Sequence, residues 1–176
     1  MLRGNKIGLR ARHESDVSVL HTELYDDVAT RSRADSRPWR PIPRDSAVSP
    51  YVVTGPDEDA ARFSVVTLDG ETLAGEALLW GIDTHNRSAH LGIALLPAFR
   101  GQGFGVDVVR VLCDYGFAVR GLHRLQLETL ADNGAMIGAA ERAGFGREGT
   151  LCRSAWAGGE FTDEVIYGLL ADDWRK

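Results

Sequence analysis

The sequence predicts an α+β (mixed α/β) fold: one central mixed, mostly antiparallel sheet flanked by helices. Three observations predict it. The first half carries strand-like apolar runs joined by polar turns at Asp69-Gly70 and Asp83 to Ser88. The middle carries a strand, a Gly-rich loop, a helical pattern and another strand, in that order. The end carries a helix stopped by Gly144, then two runs that meet around Gly158-Gly159.

The elements follow in order. Ile7 to Ala11 reads as a first short strand, and Ser15 or Asp16 as the cap of a helix carrying Val17, Leu20 and Leu24. Residues 30–50 hold Pro38, Pro41, Pro43 and Pro50 and read as irregular. Phe63 to Leu68 and Thr72 to Ile82 are strands joined by the Asp-Gly hairpin signal, and Ala89 to Leu96 completes an antiparallel meander. Val108, Val109, Leu112 and Val119 recur with a helical period between Val106 and Arg120. Leu122 to Leu130 alternates as a strand, so the strand–helix–strand order makes a crossover with parallel strands. Asn133 opens the next helix and Gly144 ends it. Arg147 to Trp156 and Phe161 to Leu170 form the closing hairpin.

Composition narrows the function classes. The chain has 176 residues, enough for a sizeable core, and no linker divides it, so residues 1–176 read as one domain. At 44% hydrophobic and 26% charged it has the make-up of a soluble globular protein. No apolar stretch reaches the length of a membrane span, and no signal-peptide pattern opens the chain, so no membrane partner is expected. A net charge of −5 argues against broad nucleic-acid binding and mildly favours a cationic amine as partner. Cys113 and Cys152 form neither a disulfide framework nor a metal motif, so no metal is expected and a reducing cytoplasm is the natural setting.

Arg100-Gly101-Gln102-Gly103-Phe104-Gly105 carries the chemistry. A Gly-rich turn between a strand and a helix leaves backbone N–H groups unpaired and pointing one way, at the positive end of the helix dipole. Glycines let a phosphate approach the backbone and permit positive φ. The dinucleotide fingerprint needs a third glycine that is missing, and no Gly-Lys-Ser/Thr run makes a nucleotide P-loop.

What remains, an Arg-x-x-Gly-x-Gly pattern, resembles the pyrophosphate loop of the GNAT superfamily of N-acetyltransferases. A second block, Asn133 to Phe145, resembles that family's N-x-x-S-I-x-x-x-E-K-x-G-F stretch. Leu9-Arg10, Asp69-Gly70, Tyr115-Gly116-Phe117 and His123-Arg124-Leu125 extend the likeness toward ribosomal-protein N-terminal acetyltransferases and spermidine acetyltransferases. The resemblance implies the GNAT fold, a sheet splayed at the CoA site, and acetyl-CoA or another acyl-CoA as co-substrate. It also implies a small-molecule or peptide amine as acceptor, and a homodimer.

It assigns residues too. The pyrophosphate would meet Gly101, Gln102, Gly103, Phe104, Gly105 and Val106, with Arg100 as a charged contact. The pantetheine arm would lie along Ile93, Ala94 and Leu95, with the ladder breaking at Leu96 before Pro97. Asn133 would contact the pantetheine, and it equally suits a helix N-cap. Met136 would pack at the pantetheine end or in the core.

Direct acetyl transfer needs a base for the amine and a partner for the departing thiolate. His90 is the first candidate base, because histidine titrates near neutrality and its strand leads to the thioester. Glu76, on the neighbouring strand, is the second, and Glu128 the third. For the thiolate the sequence departs from its relatives: Met136 replaces the serine of N-x-x-S, and Ala140 stands where spermidine acetyltransferases carry tyrosine. Tyr167, Tyr115 or water remain as substitutes. The alternative reading is a catalytically degenerate CoA-binding module. Arg31, Arg33, Arg37, Arg40 and Arg44 flank Trp39 on the acceptor side. They read either as a solvated loop paired with Asp35 and Asp45, or as a carboxylate recognition site for the acceptor or a charged acyl group.

Overall fold

The computed structural model describes residues 1–35 and 37–174. Its strands are β1 Leu2–Arg3, β2 Ile7–Arg10, β3 Ala60–Thr67, β4 Leu73–Asp83, β5 Ser88–Leu95, β6 Arg124–Leu130, β7 Gly146–Ala157 and β8 Glu160–Leu170. The helices are α1 Glu14–Leu20, α2 Val28–Ala34, α3 Phe104–Asp114, α4 Gly134–Ala143 and α5 Ala171–Trp174. One π-helical turn, His21–Tyr25, extends α1, and another, Tyr115–Val119, extends α3.

The strands form one sheet in the order β1-β2-β3-β4-β5-β6-β8-β7, parallel only between β5 and β6. That parallel ladder holds Ser88↔Arg124, Ala89↔Leu125 and His90↔Gln126, then stops. Beyond it β5 stays with β4 as far as Gly75↔Leu95, while β6 stays with β8 as far as Leu130↔Glu164. The sheet therefore splits into a notch whose vertex is His90. At Gly75 a Cβ would lie 2.2 Å from the Ala94 carbonyl oxygen, so only glycine lets β4 press this closely on β5.

On one face, Val108, Val109 and Leu112 of α3 and Ala139, Ala140 and Ala143 of α4 bury Leu79, Leu91, Leu125 and Leu127. On the other face, Leu20, Leu24, Tyr25 and Tyr51 close over Leu96 and Ala94. Asp107, buried in the first turn of α3, accepts the backbone N–H groups of Asn5, Lys6 and Ile7 at 3.0, 2.7 and 3.1 Å. It ties the helix to the turn between β1 and β2.

The structure corrects two sequence expectations. Residues 30–34 are helical, not irregular: Asp27 caps α2 by accepting the Thr30 N–H at 3.2 Å, and the prolines begin only at Pro38. Neither Ser15 nor Asp16 caps α1. His13 holds the N-cap position, and Asp16, two residues into the helix, accepts its N–H at 2.9 Å. The Asp16 carboxylate also takes the Ser64 hydroxyl at 2.7 Å and a two-pronged bond from Arg10 at 2.7 and 2.9 Å.

Candidate active site

The Gly-rich loop forms an open cradle at the start of α3. Gly101 and Gly103 adopt left-handed φ values of 73° and 80°, which side chains resist. Gly103 is the N-cap, so the N–H groups of Gly103, Phe104, Gly105 and Val106 precede the first intrahelical bond. A Cβ on Gly105 would stand 3.7 Å from Ile93 and 3.8 Å from Ala139, which places the loop between β5 and α4. Unpaired donors converging at a helix N-terminus fit a pyrophosphate.

The side chains of the loop turn away from the cradle. Arg100 Nε donates to the Leu95 carbonyl at 2.9 Å, and Gln102 Nε2 to the Ala98 carbonyl at 2.7 Å. Lys6 instead brings a cation to the loop, its Nζ donating to the Gln102 carbonyl at 2.9 Å. No local motif could reveal it, since Lys6 is 96 residues away in sequence. A cavity of about 130 Å³ bordered by Lys6, Gly103 and Arg110 opens at this point.

At the notch vertex His90 stacks on Trp80, with ring centroids 4.2 Å apart and planes at 22°. Its Nδ1 lies 3.1 Å from Glu128 Oε2. Glu128 Oε1 accepts from Gln126 Nε2 at 2.6 Å, Gln126 Oε1 accepts from Arg124 at 2.8 Å, and Arg124 pairs with Glu148. This chain crosses β8 where Gly168 has no side chain: a Cβ there would lie 2.2 Å from Glu148. Burial pushes the Glu128 carboxyl up, but the bonds from His90 and Gln126 outweigh it and hold the group below its usual range. Glu128 is therefore an anion, so in the neutral form of the His90 ring the proton sits on Nδ1 and Nε2 is the acceptor.

Glu76, the second candidate base, is not free. Its Oε2 accepts from Arg12 Nη2 at 2.8 Å, and both side chains are largely buried. Asn133 is the N-cap of α4, accepting the Met136 N–H at 3.2 Å and donating to Thr129 Oγ1 at 2.9 Å. Met136 is half-buried against the core, and Ala140 lies inside it. The two tyrosines proposed for the thiolate are engaged elsewhere. Tyr167 donates to Glu141 at 2.9 Å, and Tyr115 meets Phe63 edge-on at 5.1 Å while its hydroxyl accepts from Arg120.

The arginine-rich segment and its surroundings comprise α1, α2 and residues 37–52. Arg31 and Arg37 both bind Asp35, and Arg33 reaches Asp132 at 2.6 Å, linking α2 to the turn before α4. His21, buried, meets Ser49 Oγ and the Ile42 carbonyl, each at 3.0 Å, and pins this segment down. A cavity of about 580 Å³ is lined by His21, Trp39 and Arg44 among others, and no residue of β5 or β6 borders it. Among the described residues no group of three or more His, Cys, Asp or Glu side chains converges as a metal site. Among them, too, no helix is long and apolar enough to cross a membrane.

Comparison with known proteins agrees with this geometry. The sequence model of the acetyltransferase (GNAT) domain matches residues 6–146. Spermidine N(1)-acetyltransferase of Escherichia coli K12 is 31% identical over 109 residues, 62% of this chain and 58% of that protein. The putative ribosomal N-acetyltransferase YdaF of Bacillus subtilis is 30% identical over 104 residues, 59% of this chain and 57% of that protein. The matches thus span under two thirds of these relatives' length. The crystal structure of spermidine N-acetyltransferase from Vibrio cholerae in complex with CoA and spermine superposes with a TM-score of 0.85 at 24% identity, covering 97% of this chain and 98% of that one. The family match over most of the chain, on a split sheet with a phosphate cradle, shows that the protein belongs to the GNAT acetyltransferases, enzymes that move an acetyl group from acetyl-CoA to an amine.

Proposed function

We propose that this chain is an N-acetyltransferase acting on a primary amine by direct attack, with His90 as general base. The observation that carries the reading is the His90–Glu128 pair at the vertex of the notch, where the parallel ladder ends. The N–H groups from Gly101 to Val106 hold the pyrophosphate, and the free edge of β5 at Ile93, Ala94 and Leu95 holds the pantetheine amides up to Leu96. Asn133 and Met136 border the arm from α4. Acetyl-CoA supplies the activated acetyl group as a thioester.

The residues then have separate tasks. His90 Nε2 takes a proton from the ammonium, which frees the nitrogen lone pair to bond the carbonyl carbon; as the C–S bond breaks, the new amide nitrogen sheds its second proton to solvent. Glu128 keeps the ring in that tautomer and stabilises the imidazolium that forms. Trp80, 44% exposed, fixes the ring by stacking and offers an indole face to an incoming ammonium. With Tyr167 and Tyr115 occupied, solvent water protonates the departing thiolate. Glu76 serves by holding Arg12.

The acceptor is a small or peptide amine, in line with relatives named for spermidine and ribosomal substrates. Cys113 and Cys152 are free thiols, which suits a reducing cytoplasm. The exposed Trp156 and Phe161 on the β7–β8 hairpin are apolar surface that a homodimer would cover. A panel of primary amines with acetyl-CoA, read by CoA release, tests the activity: turnover with some amine is expected. A second reading, a CoA-binding module without turnover, is favoured by Met136 and Ala140. It requires acetyl-CoA binding with no acetylated product from any amine.

A further inference from the structure

We infer that the acceptor brings a carboxylate, and that Arg12 and Tyr51 are the groups that receive it. The inference rests on the acetyl-transfer reading above for the position of the amine. Arg12 is 8% exposed and Tyr51 1%. Only Nη2 of Arg12 is used, by Glu76. Among the described residues, Arg12 Nε, Arg12 Nη1 and the Tyr51 hydroxyl are buried and have no hydrogen-bond partner. An unmet buried donor costs about 1–3 kcal/mol, more when charged. Such groups are rare in folded proteins, and each calls for an explanation.

The three unmet groups stand together, with the Arg12 guanidinium 5.5 Å from the Tyr51 ring centroid. Burial pushes the Tyr51 phenol up and Glu76 adds to this, against the pull of Arg31 and Arg12, so the group remains a neutral O–H donor. A guanidinium has no acceptor atom. The missing partner therefore supplies lone pairs, and a carboxylate supplies them with complementary charge. A protonated polyamine supplies none.

Position selects what bears the carboxylate. Glu76 is the cross-strand partner of Ala94, and Tyr51 packs in one cluster with Ala94 and Leu96. Ala94 lies on the same face of β5 as His90, four residues on, which is about 13 Å along a strand. Between them Gly92 presents no side chain. An acyl group held by its thioester beside His90 is too short to cross that gap. Three extended residues reach about 10 Å, and a hydrogen bond of about 3 Å at either end closes the remainder. The geometry therefore fits a short peptide, its N-terminal amine at His90 and its carboxylate at Arg12 and Tyr51.

The test compares triglycine with triglycinamide, which differ only in the terminal carboxylate, alongside spermidine and Gly-Gly-Asp amide. Acetylation is read as kcat/KM, and binding to the CoA-loaded protein by calorimetry. Amidation is expected to lower kcat/KM about 10- to 100-fold, the loss of one charge-assisted contact. A rate restored by Gly-Gly-Asp amide assigns the carboxylate to a side chain rather than a terminus. Tyr51→Phe deletes a hydroxyl whose own O–H donates to no group among the described residues. It is expected to leave thermal stability intact and to shrink the acid-to-amide ratio, an effect a purely structural tyrosine would not show. Arg12→Gln should abolish the ratio. Equal rates and equal binding for acid and amide overturn the carboxylate site. Preferential binding of the acid without any acetylated product overturns the transfer reading and leaves the site standing.

Discussion

His90 Nδ1 and Glu128 Oε2 stand 3.1 Å apart across β5 and β6, His90 being the last paired residue of the parallel ladder and Glu128 lying two residues past its partner Gln126. The pair thus sits where β5 and β6 part. His90→Ala is expected to lower kcat for acetylation by about 10²–10⁴-fold while the affinity for CoA stays unchanged. Glu128→Gln keeps the hydrogen-bond geometry but loses the charge, and is expected to cost less. Steady-state rates beside calorimetric CoA titrations of both variants check this.

The cradle depends on backbone shape. Gly103 holds φ at 80°, and a Cβ there would also press to 3.4 Å from Lys6 Nζ. Gly103→Ala therefore strains the loop by about 1–2 kcal/mol, and an affinity loss for CoA of about tenfold is expected. Lys6→Ala should weaken CoA binding as well, in a salt-dependent way, because it removes the ammonium seated on Gln102. Titration calorimetry at two ionic strengths separates the two effects.

Asp107 satisfies three backbone donors at once. Asp107→Ala takes this partner from the buried Ile7 N–H and from the part-buried Asn5 and Lys6 N–H groups, and is expected to destabilise the fold by about 1–3 kcal/mol. Urea unfolding of the variant, with the unfolding slope unchanged, is the measurement.

Asp16 links Arg10, His13 and Ser64. Burial raises its carboxyl pKa, but the bonds from Arg10, the His13 N–H and Ser64 outweigh this and bring it from 3.8 to about 2. The folded value lies below the unfolded one, so the stabilisation is fully present above the ordinary value and fades as pH falls from there toward about 2. The difference is worth about 2 kcal/mol. Asp16→Asn should remove this part of the acid dependence, and the stability gap to the parent protein should narrow as pH drops. Thermal unfolding of both proteins over an acid series reads it.

Much of this was legible in the sequence because local chemistry fixes it. Gly101, Gly103 and Gly105 announce a turn open to phosphate, Asp69-Gly70 announces a hairpin, and Gly144 a helix end. The parallel step between β5 and β6 followed from element order alone. The placement of His90 at the end of the parallel ladder agrees with its strand position. What escaped is non-local. Lys6 reaches Gln102, Asp107 reaches Asn5 to Ile7, and Arg12 reaches Glu76 across 64 to 102 residues. Arg100 looked like a phosphate ligand by type, yet its side chain finds the nearer Leu95 carbonyl. The helix at Val28–Ala34 was hidden because four prolines downstream dominated the reading of that stretch, while its own cap, Asp27, lies just before it.

The central claim is that the notch transfers acetyl groups and that His90 takes the proton. One measurement tests it most directly: single-turnover acetylation of a primary amine by the parent protein and by His90→Ala, each saturated with acetyl-CoA carrying an isotopically labelled acetyl group, followed by mass spectrometry. Labelled product forming rapidly with the parent protein, and at least about a hundredfold more slowly with the variant, is the expected result. Equal rates for the two proteins, or no labelled amine from either while both bind acetyl-CoA, would contradict it.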